Sequence, residues 1–267
     1  MKHGIFKRLL AESRTRDAFA IVAALLIIWE ACVHIFSPSP LILPAPSAIF
    51  AEFWSSPWVF IRHSGYTLAV TALGFGIAVV LGIVLAVAIV YSRFLERTIY
   101  TLLVALNSIP KVALAPLFVI WLGTGTEPKV SVAVMLAIFP IVIDTVLGLR
   151  SVDPDMLSLA RVSKASAWQV LFKIRFPCAL PSLFAGMKVA ISFALVGAIV
   201  GEFVAGGTGL GFQILVAQGQ FDTPRVFVSL LLLSLMGTVL FYLVDFAERI
   251  FLPWHVSQRP HVAVAGG

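Results

Sequence analysis

Three ionisable side chains, Lys111, Asp144 and Glu202, lie within long apolar stretches of this 267-residue sequence. Charges are costly in such surroundings, and they commonly pair with each other or line a polar path. An ammonium group in a low-dielectric cavity attracts anions strongly, so Lys111 could bind an anionic solute. The structural alternative is that Lys111 forms an ion pair with Asp144 or Glu202 and thereby holds two helices together.

Motifs for covalent chemistry or nucleotide binding are absent from the sequence. No G-x-x-x-x-G-K-[ST] phosphate loop occurs, and the five histidines are scattered and form no HExxH motif. The run Gly206–Gly211 is rich in glycine, but it lacks the strand and helix that would make it a phosphate cradle. We therefore predict a turn or gate at this run, and no enzyme activity and no cofactor in this chain.

The composition indicates that lipid is the natural solvent of the chain. Hydrophobic residues make up 60% of the sequence and charged residues only 12%, whereas soluble domains carry about 25% charged residues. The two cysteines, Cys32 and Cys178, are far apart in apolar surroundings, and we expect them to be small buried thiols. The net charge of +6 comes from basic residues clustered between apolar runs, which favours a membrane topology signal over nucleic-acid binding.

Six stretches are long and apolar enough to cross a membrane, which takes about 20 residues in a helix. The sequence thus predicts an all-α integral membrane protein with six transmembrane helices. Pro110 and Pro116 free backbone groups in the third stretch, which cavity water or polar neighbours must satisfy, so this stretch is predicted to line the pore. The six stretches are Phe19–Phe36, Gly65–Tyr91, Thr98–Trp121, Val130–Leu149, Ser182–Phe203 and Arg225–Ala247.

The distribution of basic residues predicts that both termini are cytoplasmic, because cytoplasmic segments carry an excess of Lys and Arg. With that orientation only Arg62, Lys129 and Arg225 fall outside. The inner segments hold Lys2, Lys7, Arg8, Arg14, Arg16, Arg93, Arg97, Arg150, Arg161, Lys164, Lys173, Arg175, Arg249 and Arg259.

The segment between Arg150 and Pro181 is the longest predicted cytoplasmic insertion. Asp153 is a good N-cap, Pro154 suits the first helical position, and Asp155 favours the positive end of the helix dipole. A second apolar stretch, Trp168–Ile174, follows this helix and suggests a helical hairpin. Such a hairpin could bind a protein partner, or its basic amphipathic helix could rest on lipid.

This insertion resembles the EAA loop of ABC-importer permeases, whose signature is Glu-Ala-Ala, three residues, Gly, nine residues, Ile, one residue, and Leu-Pro. Every spacing fits. Ser158 stands in place of the glutamate and Lys164 in place of the glycine. If the bend at Lys164 requires a left-handed residue, lysine costs about 1–2 kcal/mol there. The frame reads Ser158-Leu159-Ala160, Lys164, Ile174 and Phe176-Pro177.

The resemblance extends from about Pro44 to Trp254, and it is to the nitrate/sulfonate/taurine branch of these permeases. It is carried by Ile109–Leu117, Trp121–Gly123, Pro128-Lys129, Phe139-Pro140, Gly148–Val152, Gly186–Lys188, Gly209–Gly211, Glu248-Arg249 and Pro253-Trp254.

The resemblance implies a type I ABC-importer permease fold in the bacterial inner membrane. Its implied partners are the lipid bilayer, a second copy of the chain, a periplasmic or extracellular substrate-binding protein, and an ATPase subunit that binds ATP and Mg. The expected layout is a cytoplasmic N-terminal segment at 1–18, a permease domain at 19–254 with its coupling loop at about 150–181, and a cytoplasmic tail at 255–267.

The importer interpretation assigns two groups of residues. The ATPase-coupling residues would be Asp155, Ser158, Leu159, Ala160, Arg161, Lys164 and Ala165, and the translocation pathway would include Asn107, Ser108, Lys111 and Glu202. We expect a small solute, and Lys111 favours an anion. An ion-coupled secondary carrier or channel is the alternative, and it would be expected to show inverted repeats, which the sequence lacks.

Overall fold

The computed structural model describes residues 20–95 and 110–253. Within these ranges the secondary structure is helical, and no strand is found. The prediction of an all-α chain is therefore confirmed for the described residues. Beside short single turns, the helices are α1 (Ala20–Phe36), α2 (Pro46–Ser55), α3 (Pro57–Tyr91), α4 (Ala115–Leu122), α5 (Glu127–Arg150), α6 (Pro154–Val162), α7 (Ala167–Ala205), α8 (Leu210–Gly219) and α9 (Thr223–Phe251).

Four of these helices, α3, α5, α7 and α9, are long and apolar enough to cross a membrane. They correspond to the second, fourth, fifth and sixth predicted spans. The first predicted span corresponds to α1, a shorter apolar helix. The third lies partly outside the described residues, and its described part forms a 3₁₀ turn at Lys111–Leu114 followed by α4. The count of six spans therefore stays a prediction.

Helix α7 starts 15 residues before the predicted span at Ser182. Its first turn is fixed by a capping box, in which the Ser166 hydroxyl accepts a hydrogen bond from the Gln169 N–H and the Gln169 side chain accepts one from the Ser166 N–H. A π-helical segment, Leu171–Arg175, then precedes Pro177. A local change of helical winding accommodates the missing N–H of proline, so the helix continues through Pro177.

The described residues divide into two compact units. The smaller one contains residues 20–61 and Gln213–Leu231. Its polar contacts include an ion pair between Arg225 and Glu52, at 2.8 Å, and a hydrogen bond of 2.6 Å from the Ser47 hydroxyl to the Glu30 carboxylate.

The larger unit contains residues 62–95, 110–212 and 232–253. Its core is built on the close packing of α5 against α7. A Cβ added at Gly197 would come within 2.6 Å of the Ala133 Cα, so only glycine permits the helices to approach this closely. Buried aliphatic side chains, among them Ile141 of α5 and Leu183 of α7, form a hydrophobic cluster in this unit.

The expectation that both cysteines are buried is wrong, because Cys32 and Cys178 are exposed. Both lie on helices whose outer faces are apolar. In a membrane protein such faces contact lipid, so a small thiol needs no protein core around it.

Candidate functional site

Helix α6 starts where the sequence predicted. The Asp153 side chain accepts a hydrogen bond of 2.8 Å from the Asp155 N–H, and Pro154 occupies the first turn. The Ser158 hydroxyl donates a hydrogen bond to the Pro154 carbonyl at 3.0 Å, so its donor has a partner within the helix. The exposed Asp155 carboxylate lies at the N-terminal end of the helix, where it complements the dipole.

The end of α6 is formed by a left-handed lysine. Lys164 has φ of +51°, and its N–H donates to the Arg161 carbonyl at 3.0 Å. The next N–H, from the half-buried Ala165, donates to the Ala160 carbonyl at 3.0 Å. Two carbonyls at the end of the helix are thereby satisfied. The sharp bend considered from the sequence is therefore present. Lysine in this left-handed conformation costs about 1–2 kcal/mol compared with the right-handed region.

One side of α6 is exposed and apolar. The exposed fraction is 68% for Leu159 and 82% for Val162. Ser158, Arg161 and Lys164 are also exposed. Ala160 differs from the other residues assigned to coupling, since only 6% of it is exposed. Its side chain is therefore not part of the exposed surface of α6, and its assignment to ATPase coupling stays a prediction.

The start of α7 continues the exposed apolar surface. The Trp168 and Phe172 rings stack with centroids 5.6 Å apart, and both side chains are exposed. Arg175 anchors this part of α7 to the end of α5, because its guanidinium donates to the Leu149 carbonyl at 2.9 Å. The second arm of the predicted hairpin is therefore the first part of a 39-residue helix.

The glycine run after α7 is held by the Glu202 carboxylate, which is fully buried. The carboxylate accepts hydrogen bonds of 2.8 Å from the Thr67 hydroxyl and from the Gly211 N–H. The Thr67 hydroxyl oxygen in turn accepts from the Leu210 N–H at 2.8 Å. Gly209 has φ of +126°, and a Cβ there would overlap the Glu202 carboxylate. The run is thus an ordered turn, as predicted.

A second buried charge, Lys129, holds the other side of this turn. Its ammonium donates to the Gly206 carbonyl at 2.7 Å and to the Thr208 carbonyl at 3.1 Å. The His63 ring contacts the backbone of Gly209 at 2.9 Å. From the sequence, Lys129 was predicted as a charge on the outer side and as part of the Pro128-Lys129 motif, without a role in this turn. Its position next to Pro128, in the first turn of a long apolar helix, was the available signal that it could turn inward.

The two described pathway candidates, Lys111 and Glu202, are not in contact with one another. The Lys111 ammonium lies 4.1 Å from the centroid of the Phe139 ring, while Thr67 and Gly211 hold Glu202. In the described part of the chain, the proposed ion pair of Lys111 with Glu202 is therefore absent. Asn107 and Ser108 lie outside the described residues, so the pathway assignment stays a prediction.

A cluster of four charges joins α7 to α9, and it was not predicted from the sequence. The Lys188 ammonium forms ion pairs with Asp245 and Glu248, and Asp245 also pairs with Arg249 at 2.8 Å. The four formal charges cancel, which makes the cluster tolerable between two apolar helices. The signal available in the sequence was a pair of opposite charges, Lys188 near the start of the fifth predicted span and Asp245 near the end of the sixth.

Metal ligands are not grouped in the described residues, where no three His, Cys, Asp or Glu side chains are placed to hold an ion.

The candidate site consists of two parts of the larger unit. The first is the exposed segment from α6 to the start of α7, and the second is the buried polar cluster around the turn at 206–211.

Comparison with known proteins identifies several permeases that are similar to this chain in sequence. The chain is 38% identical over 235 residues to the riboflavin transport system permease protein RibX of Chloroflexus aurantiacus, covering 87% of this chain and 88% of RibX. It is 36% identical to the formylaminopyrimidine transport permease protein ThiX of Halalkalibacterium halodurans, covering 88% and 94%. It is 29% identical to the putative aliphatic sulfonates transport permease protein SsuC of Bacillus subtilis, covering 89% and 87%.

Among solved structures, the inward-facing MetNI methionine ABC transporter superposes with a TM-score of 0.63 over 74% of this chain and 97% of the matched chain. At 24% identity this match shows a shared fold. Residues 78–254 match the family described as binding-protein-dependent transport system inner membrane component. This chain therefore belongs to that family, the inner-membrane permeases of binding-protein-dependent transport systems.

Proposed function

We propose that this chain is the transmembrane permease subunit of an ATP-driven importer, and that a separate ATPase subunit powers it. Family membership and the permeases named above support the transport role. The chain contains no phosphate loop of its own, so ATP would be bound and hydrolysed by the partner. The ion-coupled carrier considered from the sequence is not favoured, because this family works with binding proteins.

The observation that carries the proposal is the exposed apolar side of α6. Leu159 and Val162 project from a short helix that lies outside the long apolar helices, in the stretch that joins α5 to α7. Contiguous apolar surface beside charged side chains is typical of a protein interface. We propose that this side of α6, together with the exposed Trp168, fits into a cleft of the ATPase.

Helix α7 offers a rigid connection from this interface to the turn at 206–211. The helix is continuous from Ala167 to Ala205, and a helix rises about 1.5 Å per residue. A displacement of α6 by the ATPase would move the start of α7 and, at its other end, Glu202 and the turn that it holds. Such rigid movement would alternate the access of a central cavity between the two sides of the membrane.

Several further features belong to the proposal. The distribution of basic residues supports cytoplasmic termini, so α6 would be cytoplasmic and the turn at 206–211 would face outward. Two copies of the chain would enclose the pathway, and Lys111 would line it with Asn107 and Ser108. An external binding protein would deliver the solute at the outward side.

Two solute classes have separate support. Lys111 favours a small solute with an anionic group, such as nitrate, a sulfonate or the sulfonate group of taurine. The two more similar relatives above are instead named for riboflavin and for a formylaminopyrimidine, which favours a heteroaromatic solute. An uptake assay can compare these classes directly once the binding protein is at hand.

The experiment is ATP-dependent uptake in proteoliposomes that contain the chain with its co-purified ATPase, with the binding protein added at the outer side. Radiolabelled taurine and riboflavin are offered separately. Uptake that requires ATP and the binding protein supports the proposal, and the labelled compound that accumulates identifies the solute class. Uptake driven by an ion gradient without ATP would contradict it.

A further inference from the structure

Lys164 combines an unfavourable backbone conformation with an exposed charge. Its φ of +51° lies in the region where glycine is the default residue, because glycine has no Cβ to clash there. A glycine at this position would make the same bend without strain. The presence of lysine therefore indicates that its side chain has a use that offsets the local cost.

Within the described part of the chain, the Lys164 ammonium forms no hydrogen bond or ion pair. Its partner must therefore be sought outside these residues. Arg161, the other cation at this end of α6, is turned back along the helix, because its guanidinium donates to the Leu157 carbonyl and the Ser158 hydroxyl. Arg161 already complements the helix dipole. Lys164 is thus the cation available to a partner at the bend.

The charge around the bend has one sign. From Met156 to Gly201 the sequence contains no aspartate or glutamate, whereas Arg161, Lys164 and Lys173 are exposed there. The exposed surface is therefore an apolar ridge, Leu159 and Val162, followed by positive charge. A surface complementary to it needs an apolar cleft with a carboxylate at its edge.

We propose that Lys164 forms an ion pair with an aspartate or glutamate of the partner ATPase and helps to select which ATPase this permease binds. The inference rests on the proposed function, since it assigns a specific contact to the same interface. Anionic lipid headgroups are the other source of negative charge near such a helix. The test separates the two sources by the lipid used.

The first measurement is the affinity of the purified ATPase for the chain in nanodiscs of neutral phosphatidylcholine. Lys164→Asn removes the charge but tolerates the left-handed backbone, Lys164→Gly removes both charge and strain, and Lys164→Arg keeps the charge. We expect Asn and Gly to weaken binding about two- to fivefold at low salt, with the difference lost at high salt. Lys164→Arg should bind like the wild type, and Lys164→Gly should be at least as stable to heat.

The second measurement is carbodiimide cross-linking of the complex, which joins an ammonium group to a carboxylate in contact with it. We expect a peptide containing Lys164 to be linked to an acidic peptide of the ATPase. The linkage should be missing in Lys164→Arg, although that variant keeps its affinity.

Three results would overturn the proposal. Unchanged affinity of Lys164→Asn at low salt would show that the charge is not used. A loss that occurs only in nanodiscs with anionic lipid would assign Lys164 to lipid headgroups. If no ATPase binds even the wild-type chain, the proposed function itself fails, and that result is distinct from the other two.

Discussion

Glu202 and Gly211 are joined across the turn between α7 and α8 by a hydrogen bond of 2.8 Å, in which the carboxylate accepts from the backbone N–H. The end of a long apolar helix is thereby connected to the glycine run that follows it. With Thr67 as a second donor to the same carboxylate, the turn has a fixed shape instead of being a loose loop.

Two glycines of the turn should respond differently to alanine. Gly207→Ala has open space around its new Cβ, so only the positive φ of 83° opposes it, at a cost of about 1–2 kcal/mol. Gly209→Ala has the same kind of strain, and its Cβ would also overlap the Glu202 carboxylate. Thermal unfolding in detergent should show a clearly larger loss for Gly209→Ala. Equal losses would contradict the described packing.

Removing the Glu202 carboxylate should destabilise the folded chain. Glu202→Ala leaves the Thr67 hydroxyl and the Gly211 N–H without their acceptor in a buried site, at about 1–3 kcal/mol for each donor. The exposed Glu127 provides a matched control, since Glu127→Gln should change the unfolding temperature little. A Glu202→Ala chain that is as stable as the wild type and fails only in uptake would assign Glu202 to the solute path alone.

The Lys188 ammonium should stabilise the folded chain because it neutralises two neighbouring carboxylates at once. Lys188→Met leaves Asp245 and Glu248 as neighbouring carboxylates without their shared cation, which should cost about 3 kcal/mol. Adding Asp245→Asn and Glu248→Gln removes the two carboxylates that lost this cation and should recover part of that loss. Thermal unfolding of the single and triple variants measures the difference. A triple variant less stable than Lys188→Met would contradict this, because it would show that contacts such as that of Asp245 with Arg249 outweigh the repulsion between the carboxylates.

Substitutions at two neighbouring positions of α6 should distinguish an effect on folding from an effect on ATPase docking. Ala160→Asp places a charge on the buried side of the helix and should destabilise the segment by about 3 kcal/mol. Leu159→Asp places the same charge on the exposed side, where 68% of the side chain is accessible, and should leave the unfolding temperature almost unchanged. Limited proteolysis at the 150–175 segment checks this, because only Ala160→Asp should become more sensitive. Equal sensitivity would contradict the orientation of α6.

The sequence predicted the elements whose signals are local. The start of α6 follows from Asp153 and Pro154, and four long apolar helices follow from length and hydropathy. Contacts between distant residues were not predictable in this way. The sequence offered Lys111 as the partner of Glu202, whereas folding brings Thr67 and Gly211 to that carboxylate.

The sequence also did not show which side of a short helix is buried in the folded chain. A short helix with apolar residues on several sides does not reveal which of them pack inward. Ala160 was therefore assigned to the docking surface, although the contacts of the folded chain bury it and expose Leu159. The extension of α7 back to Ala167 was missed because Trp168–Ile174 was predicted as an arm of a hairpin, separate from the span that starts at Ser182.

The most direct test of the account is whether an ATPase binds this chain through the exposed side of α6. The tagged wild-type chain, Leu159→Asp and a lipid-facing control, Leu235→Asn, are purified in mild detergent, and the bound proteins are identified by mass spectrometry and assayed for ATP hydrolysis. We predict that a phosphate-loop ATPase accompanies the wild type and the control and is lost from a folded Leu159→Asp. An ATPase retained by Leu159→Asp, or a folded wild-type chain without any ATPase, would contradict the account.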